Sequence, residues 1–240
     1  MCRGTGWLMQ VDPGFVKARR CSCIRLNRLL EIRDKVRIPE RYDNCTLGNY
    51  SPQTPSQVRA LFSARRFAES YPAPSRDLFL VGGPGVGKTH LAVGIARELL
   101  NRFVDDTIFM DFADLLALML DHSSSPIHRQ AEWARARQAS VMVLDNFGAS
   151  ATSPPRVRLI EDLVLGRLRA GRHTIFTGEP FRCRNLFAPG HCSGQITLTQ
   201  RFLDALSPEC LMALLSHVRI VHLAGPDFRR KKAAERPLFG

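Results

Sequence analysis

Residues 77–100 read "DLFLVGGPGVGKTHLAVGIARELL", and this stretch decides the fold. "DLFLVG" is a short, continuous apolar run of the kind that forms a strand buried on both faces, and "HLAVGIARELL" reads as a helix. Between them, Gly82 to Thr89 fits G-x-x-x-x-G-K-[ST], in the strand-to-helix setting that the motif requires. The residues are Gly82, Gly83, Pro84, Gly85, Val86, Gly87, Lys88 and Thr89. Glycines let backbone N–H groups turn inward toward phosphate oxygens, Lys88 brings a point charge to the β and γ phosphates, and the Thr89 hydroxyl can reach Mg²⁺. The competing reading, a glycine-rich turn that binds nothing, loses because motif and context agree.

Outward from the loop, strands alternate with helices. "TIFMD" precedes the helix "FADLLALMLD"; "AEWARARQA" is a helix before the strand "SVMVLD"; "RVRLIEDLVLGRLRA" is a helix before "HTIFTG"; and "SPECLMALLSH" leads into "VRIVHLAG". This order predicts an α/β fold, a P-loop parallel sheet covered by helices on both faces. Upstream, Val58 to Ser70 reads as an amphipathic helix, and Arg25 to Arg37 as a basic helix that Pro39 stops. The expected division is a small cysteine-containing module at 1–50, a nucleotide-binding domain at 51–228 and a basic tail at 229–240.

Composition is globular, with 45% apolar and 23% charged residues, but the net charge of +12, from 34 Lys plus Arg against 22 Asp plus Glu, is unusual. Such an excess favours a polyanionic partner, nucleic acid or an anionic membrane surface. The charge gathers at both ends, in Lys17, Arg19, Arg20, Arg25 and Arg28 and in Arg229 to Lys232. A solvated face is the bland alternative, and few aromatics intersperse these residues to stack bases. No segment approaches the roughly 18 to 20 apolar residues of a spanning helix, and no apolar h-region follows Met1. The expectation is a cytoplasmic protein whose seven cysteines are thiols or metal ligands rather than disulfides.

"VMVLD" ends in Asp145. Parallel α/β sheets place ligands at the carboxyl ends of their strands, so Asp145 is the natural partner of Thr89 in a magnesium site. A turn or helix-capping aspartate is the alternative reading.

At this point a family resemblance emerges. "GPGVGKTHLAVGIAREL", the strand aspartate with "FG" after it, and "LAGPDFRRKK" resemble the DnaC/IstB-like helicase-loader branch of the AAA+ ATPases. "IPERYDNCTLGNY" is similar to that branch's lead-in segment, and "CRGTGW" with "CSC" to its zinc module. The resemblance is specific in Thr89-His90-Leu91, which adds His90 to the nucleotide-binding set, and weak between Ala149 and Ser216. It implies ATP and Mg²⁺ as cofactors, homo-oligomerisation on single-stranded DNA, and a replicative helicase as partner; a sister group assists a transposase.

Three departures bear on catalysis. Where the family has a second acid to polarise the attacking water, this chain has Asn146, and losing such a base typically costs about 10² to 10⁴ in rate. Where the family has a polar sensor, usually Asn, stands Glu179 in "TGE". Either Glu179 partly replaces the missing carboxylate, or the site has eroded. Where the family often carries "S-R-L", here stand Met212-Ala213-Leu214, with Arg201 or Arg219 as possible substitutes for the arginine. Arg229 in "DFR" matches the family's sensor arginine, the alternative being membership of a basic tail.

By the same resemblance Cys2, Cys21 and Cys23 would be zinc ligands, one short of the four that structural zinc takes. Either the chain starts downstream of its natural beginning, the fourth ligand comes from elsewhere, or the site is dead. Cys183, His191 and Cys192 match no common site spacing. Three functions compete: an ATP-binding helicase loader, a hydrolysis-dead adaptor that docks a helicase or transposase, and an initiator that reads duplex DNA. The absence of a helix-turn-helix after Gly225 counts against the last. The sequence favours a protein that holds nucleotide over one that turns it over quickly.

Overall fold

In the computed structural model of the chain the described residues are 7–12, 15–20, 36–102, 106–150, 152–180 and 198–229. They fall into two compact units, 1–43 and 44–240. In the first, β1 (Trp7–Asp12) and β2 (Phe15–Arg20) pair antiparallel, from Trp7 with Arg20 to Asp12 with Phe15. The expectations above contain no such hairpin, although Pro13-Gly14 between the strands is a turn signal. Cys2, Cys21 and Cys23, most of the helix expected from Arg25, the group Cys183, His191 and Cys192, and the tail beyond Arg229 lie outside the described residues.

The second unit starts with segment 44–54, ahead of the boundary expected at 50, because this lead-in packs on the phosphate loop as described below. Helix α1 (Pro55–Ser70) is set by Thr54, whose side chain accepts from the Gln57 N–H, and by Pro55 in its first turn, where no N–H is needed. Ala60, Ala64, Phe67 and Ala68 form its buried stripe.

The five strands that follow are β3 (Asp77–Gly82), β4 (Thr107–Asp111), β5 (Val141–Asp145), β6 (His173–Gly178) and β7 (Val218–Leu223). They form the expected parallel sheet, in the order β4-β5-β6-β3-β7. The crossovers are α2 (Lys88–Asn101), α3 (Phe112–Leu120), α4 (Pro126–Gln138), α5 (Pro154–Arg169), α6 (Leu198–Ala205) and α7 (Pro208–His217). Of these, α6 lies in the stretch between Ala149 and Ser216 where the family resemblance is weak. Helix α2 crosses the sheet against β3, β4, β5 and β6, with α1 beside it on β3 and β7. Phe79, Val81, Ile108, Met142, Leu144, Phe176 and Val218 join a core with residues of α3 to α7. Burial on both sides explains why β3 and β5 are continuously apolar rather than alternating.

Two features fix the two edges of the sheet, the first at the carboxyl ends of its strands. Phe147, fully buried, meets the rings of Phe79, Phe112, Phe176 and Phe202 at centroid distances of 5.1–5.7 Å, and so anchors the chain directly after Asp145 and Asn146. At the other end Arg167 is almost wholly buried and donates to the carbonyls of Ala136, Ala139 and His173 and to the Thr174 hydroxyl, which ties α5 to the end of α4 and the start of β6.

Candidate nucleotide-binding site

The loop from Gly82 to Gly87 sits where β3 ends and α2 begins, the position at which backbone N–H groups and the helix dipole favour an anion. Gly85 and Gly87 have φ of +71° and +98°, a region L side chains rarely occupy, and this is why the loop can curl. The Lys88 ammonium donates to the carbonyls of Gly82 at 2.9 Å and Gly83 at 2.8 Å, bridging the base of the loop. Burial lowers its pKa; Asp145 and Glu179 oppose that, while Arg229 adds to it. Asp145, Glu179 and Arg229, expected around one phosphate group, are therefore all close enough for Lys88 to feel their charge.

Segments far apart in sequence hold this loop from both sides. From the lead-in, the Tyr50 hydroxyl and the Gln57 amide both donate to the Val86 carbonyl at 3.2 Å, and the Tyr50 ring lies against Gly87 so closely that a Cβ there would come within 2.6 Å of it. His90 Nε2 faces two acceptors at 3.0 Å, the Thr46 carbonyl and Asn49 Oδ1, so Nε2 carries the proton. Its ring packs edge-on against Tyr50. From the far end of the chain, the Phe228 N–H donates to the Gly85 carbonyl, and the Asp227 carboxylate fills the space a Cβ at Gly85 would take. Asp227 also accepts from the Arg229 N–H, which sets Arg229, exposed, at the rim of the loop. Gln57 belongs to no motif, and although Tyr50 lies in the lead-in and Asp227 in the segment after β7, only the tertiary structure brings all three onto the loop.

At the end of β5, Asp145 is fully buried. Its Oδ1 accepts from the Thr89 hydroxyl at 2.8 Å and the Thr177 hydroxyl at 2.5 Å, whereas its Oδ2 is buried with no hydrogen-bond partner. Burial raises the Asp145 pKa, the hydroxyls of Thr177 and Thr89 hold it down, Asp111 pushes it up again, and Lys88 lowers it. An unsatisfied buried carboxylate oxygen costs stability unless something completes it. A hard cation beside the Thr89 hydroxyl and a phosphate does so, so the residues present fit Mg²⁺. Among the described residues no cluster of three or more His, Cys, Asp or Glu could hold a metal ion.

Asn146 has φ of +56°, in the left-handed region where asparagine and aspartate are the best tolerated of the L residues. Its backbone N–H donates to the Thr177 hydroxyl at 2.9 Å and its side-chain amide to Asp111 Oδ2 at 2.8 Å. Asp111 ends β4 in register with Asp145. Its other oxygen caps α3 through the N–H groups of Ala113 at 2.9 Å and Asp114 at 3.4 Å. "TIFMD" and "SVMVLD" both close on aspartate, and that repetition was the available signal for Asp111. Glu179 follows β6 with an exposed side chain, its N–H held by the Thr199 hydroxyl. Arg201 and Arg219 are exposed on α6 and β7, and of the Met212-Ala213-Leu214 run, Met212 is exposed and Leu214 buried. No helix among the described residues is long and apolar enough to cross a membrane.

Residues 49–235 match the family of IstB-like ATP binding proteins. The replicative helicase loader DnaC of Escherichia coli (strain K12) is 26% identical over 169 residues, which cover 69% of this chain and 68% of that protein. The crystal structure of the DnaC helicase loader superposes with a TM-score of 0.61 at 25% identity, covering 78% of this chain and 100% of the other. The crystal structure of DnaI shares the fold, with a TM-score of 0.62 at 19% identity over 81% of this chain and 98% of its own. With the phosphate loop, the buried strand aspartate and the closing segment after β7 all in place, the chain belongs to the IstB-like ATP-binding family, in the DnaC/IstB branch of the AAA+ ATPases.

Proposed function

We propose that this chain is an ATP-binding DNA replication protein of the helicase-loader type, which oligomerises on single-stranded DNA, delivers a replicative helicase, and hydrolyses ATP slowly. The residues from Gly82 to His90 cradle the nucleotide, Lys88 faces its β and γ phosphates, Thr89 and Asp145 hold Mg²⁺, and Arg229 reaches the γ-phosphate from the same chain. Magnesium supplies charge neutralisation across the β and γ phosphates, and the remaining roles fall to side chains.

The observation that carries this reading is the grip on the loop from both sides, with Tyr50 and Gln57 on the Val86 carbonyl and Phe228 and Asp227 on Gly85. A loop tied to the lead-in and to the segment after β7 can report occupancy to surfaces that meet partners, which an ATP-dependent loader needs. The net charge of +12 suits a phosphate backbone as partner, with affinity that falls as salt rises. Similarity to a replicative helicase loader supports the choice of helicase.

Asn146 and Ala213, which stand where a water-polarising acid and an arginine are expected, favour a second reading: a hydrolysis-dead adaptor, including a transposition-helper role. One preparation separates the two. Mg-ATP binding, phosphate release and sedimentation are measured with and without single-stranded DNA, beside Lys88→Ala. Tight binding with slow, DNA-responsive turnover and assembly supports the loader; binding without turnover supports the adaptor. Equal ATP affinity in the natural chain and Lys88→Ala would sink both.

A further inference from the structure

The side chain against Asn146 is a carboxylate, and it comes from a different strand. Strands β4 and β5 pair in parallel with Asp111 opposite Asp145, so two aspartates end adjacent strands at one level on the edge that holds the phosphate loop. The Asn146 amide donates to Asp111 Oδ2 at 2.8 Å, and Asp111 Oδ1 is fixed by the first turn of α3, so the carboxylate has one orientation. Asp111 is half-buried, and its charge is felt by Asp145.

We infer that Asp111 is the acid that polarises the attacking water, with Asn146 as the residue that positions it: the carboxylate stands at the end of the neighbouring strand. This rests on the reading of the site as one that binds Mg-ATP. The water oxygen bonds to the γ-phosphorus as the bond to the β–γ bridging oxygen breaks. The electron pair leaves with ADP, and the water's proton passes to Asp111.

The test uses the full chain and four variants, Asp111→Asn, Asn146→Asp, the double exchange and Glu179→Gln. Phosphate release is measured together with the affinity for a fluescent ATP analogue in Mg²⁺. Asparagine caps a helix as well as aspartate, and an aspartate tolerates the left-handed φ at 146, so the exchanges keep the fold. Expected for Asp111→Asn is a fall in kcat of about 10² or more with nucleotide affinity changed by less than about threefold. The double exchange, which returns a carboxylate to the pair, regains at least about a tenth of the natural rate. The inference is overturned if Asp111→Asn turns over normally, if its affinity falls as far as its rate, if the double exchange regains nothing, or if only Glu179→Gln loses turnover. A natural chain that binds Mg-ATP but releases no phosphate also overturns it and leaves ATP binding standing. A natural chain that binds no Mg-ATP fails at the reading beneath.

Discussion

The Thr89 hydroxyl donates to Asp145 Oδ1 across 2.8 Å, tying the first turn of α2 to the end of β5, while Asp145 Oδ2 stays buried without a partner. A desolvated carboxylate is retained at a cost in stability that a bound cation offsets. Asp145→Asn removes the charge and keeps the size. Expected is a nucleotide-free protein at least as stable as the natural one, within about 1 kcal/mol, that has lost about tenfold or more of its Mg-dependent ATP affinity. Urea unfolding and nucleotide titration with and without chelator check it; an equal loss in chelator would show that Asp145 acts on the fold rather than on the metal.

Gly85 tests the closure by the segment after β7. An alanine there meets a left-handed φ of +71° and a Cβ 1.6 Å from Asp227 Oδ1. Asp227 must move, carrying Phe228 and Arg229 off the loop. Limited proteolysis should cut Gly85→Ala after residue 223 several times faster than the natural chain, and ATP affinity should fall. Unchanged cleavage would mean that the segment is held by other contacts.

Arg167 is an internal tie rather than a site residue. Burial lowers its pKa to about 10, which leaves it charged at neutral pH, and its charge is spread over three carbonyls and one hydroxyl. Arg167→Ala should cost about 3–5 kcal/mol by urea unfolding, since it strands those acceptors and leaves a cavity. Arg167→Lys should recover less than half, because one ammonium cannot span the guanidinium's fork. A loss below about 1 kcal/mol in the alanine variant would contradict the account.

Tyr50 gives a pH dependence. Burial pushes its phenol from 10.0 up to about 12. The folded value lies above the unfolded one, so the stabilisation it gives is complete below pH 10 and drains away as the pH rises toward 12. The ultraviolet titration of tyrosinate should show a late step near pH 12 that is missing in Tyr50→Phe. That variant should also bind ATP more weakly, since the Val86 carbonyl keeps the Gln57 amide but loses the phenol; loss of amplitude near pH 10 instead of near pH 12 would place Tyr50 in solvent.

Much of this architecture is readable from local pattern. The apolar runs of β3 and β5 have no alternation because both faces of the sheet are covered, and runs of that kind are visible in any single stretch. The start of α1 at Thr54-Pro55 also follows a local rule, though it lies three residues ahead of the expected start at Val58. The hairpin of β1 and β2 and helix α6 escaped because their signals are short, and packing rather than propensity decides them. Tyr50, at the end of the lead-in, joins the nucleotide-binding unit for a tertiary reason, because its hydroxyl reaches the Val86 carbonyl.

The sequence by itself determined the phosphate loop, the helix that follows it and the strand aspartate, because each is a contiguous run whose spacing carries its geometry. Only the tertiary structure decided which side chains complete the site. Parallel neighbours are joined by long crossovers, so residues that meet at strand ends are remote in the chain: Asp111 and Asn146 are separated by 35 positions and Thr89 and Asp145 by 56. An asparagine read alone in "VLDN" is a missing acid; with β4 beside β5 it is one half of a pair whose carboxylate sits on the other strand.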